Sequence, residues 1–357
     1  MQIDKINMDI YINARFLTQK ITGVQRFAIE ISKEIKKMDV QVKFVSPFKV
    51  THNDIANELG VIPIGSSTSH FWEQVSLPRY LKRIGSPLLV NLCNTAPLYY
   101  SNKIITIHDI AYKLFPDNFS LPFRTYYNFL VPRILQSSRK IITVSHFSKQ
   151  EILKHYKVEE NKVDVIYNAV SNKFVPSKKE NYEKYILGVS SLSKHKNFDM
   201  LIKSFNKIKD KNLKLYIVGE KNRNLNNILT KGHDLNSNLI FKGRVSDQEL
   251  VELYSNAVCF VFPSLYEGFG IPPLEAMACG CPIAVSNVTS LPEICKDAAL
   301  YFNPLDMEDI AAKMLKVVEN KEIKRTLIRK GFNQVKNYSW EKSANKLVIN
   351  MKKLYKS

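Results

Sequence analysis

Apolar positions follow two alternating patterns along the chain. Short apolar runs predict buried strands, and between them apolar residues recur every three to four positions, as on one face of a helix. In the stretch GVQRFAIEISKEIKKM the apolar face consists of Val24, Phe27, Ala28, Ile31 and Ile35. Buried strands that alternate with helices predict an α/β protein with doubly wound parallel sheets.

The first half of the chain contains six such apolar runs. They are DIYINA (9–14), VKFVSP, LLVNLC (88–93), IITIHD (104–109), IITVS (141–145) and VDVIYN (163–168). A polar segment rich in Lys and Asn then interrupts the periodicity, which is typical of a linker. We therefore predict a Rossmann-like domain over residues 1–170 and a linker over residues 171–184.

The alternation restarts after the linker. The predicted strands are YILGVS, LKLYIVG, NLIFKG, VCFVFPS, PIAVS and AALYFNP, with helices between them that include NFDMLIKSFNKIK, one after LKLYIVG, and SDQELVELYSNA. Residues 185–338 are thus predicted to form a second Rossmann-like domain. The last segment, 339–357, predicts an amphipathic helix through Trp340, Ala344, Leu347, Val348, Met351 and Leu354. Two such halves predict a cleft between the carboxyl ends of their strands, where ligands of such sheets bind.

Composition excludes several classes of protein. A chain of 357 residues that is 45% hydrophobic is long enough for two domains with real cores. We find no run of about 18 apolar residues, so a transmembrane helix is not expected. Asp4 and Asp9 near the start do not fit a secretory signal. The five cysteines lack the spacing of a zinc site and are expected to be reduced in the cytoplasm.

The net charge of +19 predicts an anionic partner, although a solvated, Lys-rich surface accounts for part of it. A nucleic-acid partner would call for a basic recognition helix or an aromatic platform, and the sequence contains neither motif. We therefore expect no nucleic acid. An anionic membrane surface and phosphorylated substrates fit the charge better.

The stretch SLYEGFGIPPLEAMACGCP follows a predicted buried strand and carries candidate chemistry. Pro272 and Pro273 suit the first turn of a helix, and Gly280 suits the position just past its end, so we predict a helix from Pro272 to about Cys279. The start of a helix attracts phosphate through its free amides and its dipole. Because prolines cannot donate, the donors must come from the turn Gly268, Phe269, Gly270 and Ile271.

Two glutamates flank this turn, Glu267 before it and Glu275 inside the helix. Carboxylates that faced a phosphate would repel it, so we expect them to accept hydrogen bonds from hydroxyl groups. A ribose and a sugar ring supply such hydroxyls. The alternative is a capped helix behind a glycine turn, with both glutamates in solvent.

Further candidates lie in other strand-to-helix loops. Lys196 in SSLSKHKNF is a compact positive charge for a diphosphate. Gly23 in TQKITGVQRF opens a helix, where an anion can bind; the alternative is a plain helix start with Thr22 as N-cap. His108 ends the run IITIHD and is followed by Asp109, which could merely orient it.

The stretch EGFGIPPLE resembles the E-x₇-E motif of retaining glycosyltransferases of the GT-B fold, especially glycosyltransferase family 4. The surrounding residues 241–294 resemble that family nearly continuously. GVSSLSKHKNF, TVSHFSK, HDIAYKLFP and ITGVQRFAIEI resemble its other markers, so the resemblance covers almost the whole chain.

This resemblance implies a role for each matching residue. Glu267 is implied to contact the donor sugar near the reaction centre, and His108 to lie against that sugar in the active site. The implied donor-binding residues are Gly23, Lys196, Gly268, Phe269, Gly270, Ile271 and Glu275, with Lys196 on the leaving pyrophosphate and Glu275 on the ribose. Weaker candidates are Val24, Ser145, Asn168, Ser191 and His195.

Ser191 departs from the family pattern, because many members carry an arginine there. Either Lys194 or His195 supplies the missing charge, or the phosphates are held less tightly. No D-x-D pattern occurs in the chain, so we expect no metal and no other cofactor. Backbone amides and Lys196 would stabilise the pyrophosphate instead.

The resemblance implies a GT-B fold in which the final helix crosses back to the N-terminal domain. It also implies a retaining transfer of a hexose, mannose as first guess, from a nucleoside-diphosphate sugar. The acceptor would be a glycan or a polyprenyl-diphosphate-linked glycan in cell-surface polysaccharide synthesis (O-antigen, capsule or exopolysaccharide). The N-terminal domain would bind this acceptor, with a basic, membrane-facing segment at residues 71–85, which equally fits a solvated helix face. We therefore expect a cytoplasmic protein associated peripherally with the inner membrane.

Other activities fit parts of the same pattern. A GT-B-fold sugar-nucleotide epimerase or phosphorylase would share the fold and the phosphate cradle, although we see no lysine site for pyridoxal phosphate. A non-catalytic basic protein that binds membrane or nucleic acid would not depend on Glu267 and Lys196.

Overall fold

The computed structural model of the protein describes residues 9–179, 183–191, 193–219 and 238–356. The chain divides into two compact units, one of residues up to Asn168 together with Ser339 onwards, the other from Ala169 to Tyr338. Each unit contains one parallel sheet whose strands alternate with helices along the chain. The predicted fold class, α/β with two Rossmann-like sheets, is confirmed.

The sheet of the first unit has seven strands in the described residues. They are β1 (Ile10–Asn13), β2 (Val42–Ser46), β3 (Ile62–Pro63), β4 (Leu88–Asn91), β5 (Lys103–Thr106), β6 (Lys140–Thr143) and β7 (Val163–Val165). Their order is β3-β2-β1-β4-β5-β6-β7, and the pairs are parallel. The six predicted strands are present. The sequence did not indicate β3, because it is a two-residue strand whose side chains are exposed.

The first unit also contains helices, of which all but the last lie between these strands in the chain. They are Gly23–Lys37, Asn53–Leu59, Ser69–Phe71, Leu77–Arg83, Ala111–Leu114, Leu121–Ser137, His146–His155 and Trp340–Lys356, with a π-helical turn at Trp72–Ser76. The final helix buries its predicted apolar face except for Leu354, which is half-buried, and the Trp340 ring lies 6.0 Å from the ring of Phe27. Ser343 Oγ donates to the carbonyl oxygen of Tyr167 at 2.7 Å. These contacts hold the final helix within the first unit.

The sheet of the second unit has six strands in the described residues. They are β8 (Tyr185–Val189), β9 (Lys214–Val218), β10 (Leu239–Gly243), β11 (Cys259–Phe262), β12 (Ile283–Ser286) and β13 (Ala299–Phe302), in the order β10-β9-β8-β11-β12-β13. The helices are Phe198–Asn206, Asp247–Asn256, Ile271–Ala278, Leu291–Cys295, Met307–Glu319 and Lys321–Val335. The helix predicted after LKLYIVG lies outside the described residues.

Apolar side chains from strands and helices form the core of each unit. In the first unit Ile105 packs with Ile134, and in the second Val261 packs with Leu201 and Met314. All five cysteines are free. The cores thus use the apolar runs and helix faces that the sequence pattern indicated.

In each sheet the direction of strand addition reverses at one point. The reversal lies between β1 and β4 in the first sheet and between β8 and β11 in the second. Loops after such neighbouring strands diverge at the carboxyl edge of the sheet and leave a crevice in which ligands bind. The fold therefore brings the loop after β8 beside the loop after β11.

The helix Ile271–Ala278 ends as the sequence predicts. Cys279 is its C-cap, and Gly280 follows with a φ of 76°. A Cβ at Gly280 would also lie 3.0 Å from Cζ of Phe332. The position therefore requires glycine both for its left-handed backbone and for its close approach to an aromatic ring.

Replacement of this glycine is expected to destabilise the second unit. Gly280→Ala should lower the free energy of unfolding by about 1–2 kcal/mol from the left-handed backbone alone, and further because Phe332 must shift. Chemical denaturation of the full chain measures this loss. Gly243→Ala is the matched control, because Gly243 has a φ of 71° but no atom within 4 Å of an added Cβ. Equal losses in the two variants would contradict a contribution from Phe332.

Candidate active site

Two loops meet at the strand-order reversal of the second sheet. β8 pairs with β11, and the loops that follow them carry Lys196 and Glu267. Lys196 closes a 3₁₀ turn, Lys194–Lys196, and Asn197 follows with a φ of 61°. Asn197 Nδ2 donates to the carbonyl oxygens of Pro263 at 3.2 Å and Pro304 at 2.7 Å. These bonds fix the lysine turn to the end of β11.

Lys196 and Glu267 are in direct contact. Lys196 Nζ lies 2.6 Å from Glu267 Oε1, and the two side chains are 15% and 11% exposed. Ser264 Oγ donates to the same carboxylate oxygen at 2.8 Å. Ion pairs in this partly buried position are screened less by salt than surface pairs. The structure therefore brings together the residues predicted for the pyrophosphate and for the donor sugar.

Backbone bonds hold Glu267 in place. Its amide donates to Thr289 Oγ1 at 3.3 Å, and its carbonyl oxygen accepts from Ser290 Oγ at 3.0 Å. The amide of Leu265 donates to the carbonyl oxygen of His195 at 2.8 Å. Three loops are thus tied together around one carboxylate, which is the preorganisation that a reacting site requires.

The backbone conformation of the turn after Glu267 itself requires a glycine. Gly270 has a φ of 91°, and a Cβ there would lie 2.7 Å from Cδ2 of Leu291. Phe269 is buried and packs edge-on against Tyr338 at 5.7 Å. Gly268 is buried, and Ile271 begins the helix. Glycine is therefore needed at position 270 for the turn and for the packing of Leu291, whether or not a ligand approaches.

Glu275 lies in the helix that follows the turn, and its side chain is largely buried. It is 8% exposed, and its Oε2 accepts a hydrogen bond from the hydroxyl of Tyr254 at 3.2 Å. Burial and the neighbouring carboxylate raise the pKa of Tyr254 well above its ordinary value. The interpretation in which both glutamates extend into solvent is therefore wrong.

The residues around Lys196 differ in charge. His195 is 9% exposed, and burial together with the charge of Lys196 lowers its pKa to about 3. His195 is therefore neutral at physiological pH in this structure, and its suggested place beside the phosphates stays a prediction. Lys194 is exposed, and the exposed Ser191 places its Oγ 3.0 Å from Oγ of Ser193. Of the two residues considered for the missing charge, Lys194 is the charged one.

His108 lies at the carboxyl edge of the first sheet. The strand β5 ends at Thr106, two residues before His108, so the expectation that His108 ends the strand is wrong by two positions. Its amide donates to Asn94 Oδ1 at 2.8 Å instead, and its Nε2 lies 3.0 Å from the carbonyl oxygen of Leu92. Because a carbonyl can only accept, Nε2 carries the hydrogen and Nδ1 is the acceptor. Burial lowers the pKa of His108 to about 4, so the ring is neutral at physiological pH.

The other candidates of the first unit lie at helix starts and loop ends. Gly23 is the exposed first residue of the helix Gly23–Lys37, with Thr22 as N-cap and Val24 half-buried. Ser145 is buried and caps the helix His146–His155, where its Oγ accepts from the amide of Ser148 at 2.9 Å. Asn168 is 3% exposed, and its Oδ1 has no hydrogen-bond partner within the described ranges.

A buried polar network in the first unit was missed by the sequence reasoning. Arg15, from the turn after β1, pairs with Glu73 of the π-helical turn at 3.1 Å, and their side chains are 7% and 2% exposed. Asn13 also contacts Glu73, at 2.9 Å. A signal existed, because both charges stand inside apolar segments, where charged residues are rarely buried unless paired. Their pairing, however, joins positions 58 residues apart.

The predicted basic segment at residues 71–85 forms part of a surface groove. The groove has a volume of about 430 Å³ and is lined by Gln74, Val75, Pro78, Arg79, Lys82, Arg83 and Tyr99. Across the described ranges, no helix combines the length and apolar character that a membrane span needs. Nor do any three His, Cys, Asp or Glu side chains in that part of the chain group as metal ligands.

Comparison with solved structures shows the fold. The chain matches a glycosyltransferase of Rickettsia africae with a TM-score of 0.75 and 18% identity, covering 98% of this chain and 100% of the other. It also matches HepE of Anabaena, solved with UDP and glucose, with a TM-score of 0.75 and 15% identity, covering 97% and 100%. The shared fold is of the GT-B class.

Two curated relatives are more similar in sequence. The O-antigen chain mannosyltransferase RfbU of Salmonella typhimurium is 36% identical over 230 residues, which span 64% of this chain and 64% of RfbU. The O-antigen chain mannosyltransferase B of Escherichia coli is 29% identical over 262 residues, which span 69% and 68% of the two chains. The matched stretches thus span about two thirds of these relatives.

Sequence models of two related families cover consecutive parts of the chain. The model described as Glycosyltransferase Family 4 matches residues 21–174, and the model described as Glycosyl transferases group 1 matches residues 170–334. Together the two models account for residues 21–334, and the chain therefore belongs to the group 1 and family 4 glycosyltransferases.

Proposed function

We propose that the protein transfers a hexose from a nucleoside-diphosphate sugar to a hydroxyl group of a glycan or polyprenyl-linked acceptor, with retention of anomeric configuration. The observation that carries this proposal is the contact between Lys196 and Glu267 at 2.6 Å, beside the start of the helix Ile271–Ala278. The O-antigen mannosyltransferases among its relatives favour mannose as the sugar and cell-surface polysaccharide as the product. GDP-mannose is the first candidate donor, followed by UDP and dTDP sugars.

The proposed mechanism centres on the leaving pyrophosphate. Negative charge develops on its oxygen as the bond to the sugar breaks, and a positioned cation and helix dipole lower the energy of that transition state. We propose that Lys196 and the start of the helix Ile271–Ala278 stabilise this charge. When the diphosphate replaces Glu267 as the partner of Lys196, Glu267 becomes free to accept a hydrogen bond from a hydroxyl of the donor sugar. Glu275 would accept one from the ribose.

His108 is proposed to act as a neutral group. Its Nε2–H is held by Leu92, which leaves Nδ1 as the hydrogen-bond acceptor for a sugar hydroxyl. Because a neutral ring does not change its charge near pH 7, His108 leaves the binding of the two phosphates by other residues independent of its own protonation. We propose this contact with the donor sugar for His108.

The basic groove of the first unit is proposed to face the anionic inner leaflet of the membrane on its cytoplasmic side. Arg79, Lys82 and Arg83 are exposed, and Tyr99 beside them is 77% exposed. Clustered basic side chains attract anionic headgroups, and an exposed aromatic ring suits the interface. This surface would bring the enzyme to a polyprenyl-diphosphate-linked acceptor.

Loss of either member of the central ion pair should abolish transfer. We expect Glu267→Gln and Lys196→Met each to lower the transfer rate by about 100-fold or more, since loss of one stabilising polar group in such a site costs that much. The measurement is radiolabelled sugar transfer to isolated lipid-linked acceptor, with circular dichroism to check the fold.

Lys184→Met is the matched control for Lys196→Met. Lys184 also forms an ion pair in the second unit, with Asp210 at 2.8 Å, but directly before β8 rather than after it. We expect this variant to keep full activity. Full activity in both site variants would overturn the proposal, whereas sugar-nucleotide conversion without acceptor would indicate an epimerase.

The donor nucleotide can be found from stability. A ligand that binds only the folded state raises the melting temperature, and more so the tighter it binds and the higher its concentration. We expect GDP and GDP-mannose to raise it more than UDP, dTDP and their sugars in a thermal-shift panel. A chain whose melting temperature responds to none of these nucleotides is not the proposed transferase.

The neutral state of His108 makes stability depend on pH. Its pKa falls from 6.5 to about 4 on folding, so between these values the unfolded chain binds a proton that the folded chain does not. Stability therefore falls as the pH drops from 6.5 to 4, by up to about 3 kcal/mol from this group. Denaturation of wild type and His108→Asn across this range should show a flatter dependence in the variant. Parallel curves would contradict a buried, neutral His108.

A further inference from the structure

The buried network of the first unit contains one unused hydrogen-bond acceptor. Asn13 Nδ2 and Arg15 Nε donate to Oε1 of Glu73, at 2.9 Å and 3.1 Å. The second oxygen, Oε2, is buried and accepts no hydrogen bond from any described residue. A carboxylate has room for about four hydrogen bonds on its two oxygens. Glu73 thus keeps half of its acceptor capacity free in the interior.

Further hydrogen bonds tie the two residues that contact Glu73 to the protein. Asn13 Nδ2 also donates to Asn91 Oδ1 at 3.0 Å, and Arg15 Nη2 donates to Thr95 Oγ1 at 2.8 Å. Burial opposes the charge of Arg15, but Glu73 outweighs it and the pKa of the guanidinium is raised. The network is therefore charge-balanced, and its one unmet demand is for a donor at Oε2.

This oxygen lies at the ligand-binding edge of the sheet. Asn13 ends β1 and Asn91 ends β4, the neighbouring strands between which the strand order reverses. Glu73 is presented by the π-helical turn Trp72–Ser76, and such turns occur frequently at functional sites. Trp72 anchors the turn through Nε1, which donates to the carbonyl oxygen of Ile64 at 2.6 Å.

Aromatic rings adjoin the free oxygen. His70 Nδ1 lies 3.9 Å from Oε2, too far for a hydrogen bond, and the His70 side chain is 44% exposed. His70 Nδ1 instead lies 3.3 Å from the hydroxyl oxygen of Tyr126, whose ring packs edge-on against His70 at 4.9 Å, so this bond must open when His70 moves. The ring of Tyr127 lies 6.0 Å from that of Tyr126 and stacks on Phe123 at 4.0 Å. An aromatic wall thus runs from the covered carboxylate to the surface.

We propose that Glu73 and His70 bind the acceptor sugar. A pyranose hydroxyl donates to Glu73 Oε2 when the half-exposed His70 ring turns aside, and the apolar face of the sugar packs against His70 and Tyr126. A neutral hydroxylated ligand fits because it supplies the missing donor without adding charge. An anionic group does not fit, because Arg15 is already paired and Oε2 would repel it. This inference rests on the proposed transferase function and names the residues on its acceptor side.

Binding of simple sugars tests this assignment. Saturation-transfer NMR and calorimetry of the full chain would use the methyl α-glycosides of mannose, glucose, galactose and N-acetylglucosamine. We expect the wild type to bind one or more of them, and Glu73→Gln and His70→Ala to weaken that binding about tenfold or more. GDP binding, measured in the same samples, should not change.

His155→Ala is the matched control for His70→Ala. His155 is a partly exposed histidine of the first unit that lies 3.7 Å from Glu151, and its variant should bind glycoside as the wild type does. A purely structural network would lower the melting temperature in Glu73→Gln and leave the glycoside affinity of His70→Ala unchanged.

Absence of glycoside binding by the wild type, or equal affinity in wild type and His70→Ala, overturns the inference. His70→Ala decides the matter even if Glu73→Gln does not fold, because the His70 side chain is partly exposed. Failure of the proposed transferase function would be seen in a separate measurement, because the wild-type chain would then bind none of the nucleotides in the thermal-shift panel.

Discussion

The site of the second unit depends on one ion pair, formed by two residues 71 positions apart in the chain. Lys196 and Glu267 meet because β8 and β11 are neighbours in the sheet although β9 and β10 separate them in sequence. The pair lies where the strand order reverses, the point at which sheets of this kind bind their ligands. Partial burial strengthens the attraction, while 15% and 11% exposure leaves both side chains accessible to a ligand.

The first unit repeats this arrangement with different chemistry. Arg15 and Glu73 also pair at the carboxyl edge of a sheet, between strands where the order reverses. Here the cation is a guanidinium, which donates from Nε to Glu73 and from Nη2 to Thr95. Lys196 is a single ammonium with one anionic partner, which a phosphate can replace. The Arg15–Glu73 pair therefore suits a permanent framework with one free acceptor. The Lys196–Glu267 pair suits an exchange in which a phosphate replaces Glu267.

Much of this fold follows from the local pattern of the sequence. Apolar runs predicted the long strands, and the prolines and Gly280 predicted the limits of the helix Ile271–Ala278 to within one residue. The exposed strand β3 was not predicted, because it has no apolar period. The segment at residues 71–85 is helical as expected, but its sequence did not indicate the π-helical turn Trp72–Ser76. The network of Arg15 and Glu73 was not predicted from the sequence for a different reason. Its energy comes from pairing across 58 residues, and no local pattern records such a contact. The residue roles taken from the family resemblance remain predictions, although the structure shows that Lys196 and Glu267 touch.

The central claim is that a nucleoside diphosphate takes Lys196 from Glu267, and calorimetric titration of GDP into three forms of the protein tests it most directly. Lys196→Met removes a cation from the diphosphate and should weaken binding about tenfold or more. Glu267→Gln removes the competing anion, so its affinity for GDP should equal or exceed that of the wild type. An equal loss of GDP affinity in both variants would contradict the exchange, because it would mean that the intact ion pair, rather than the released lysine, supports the nucleotide.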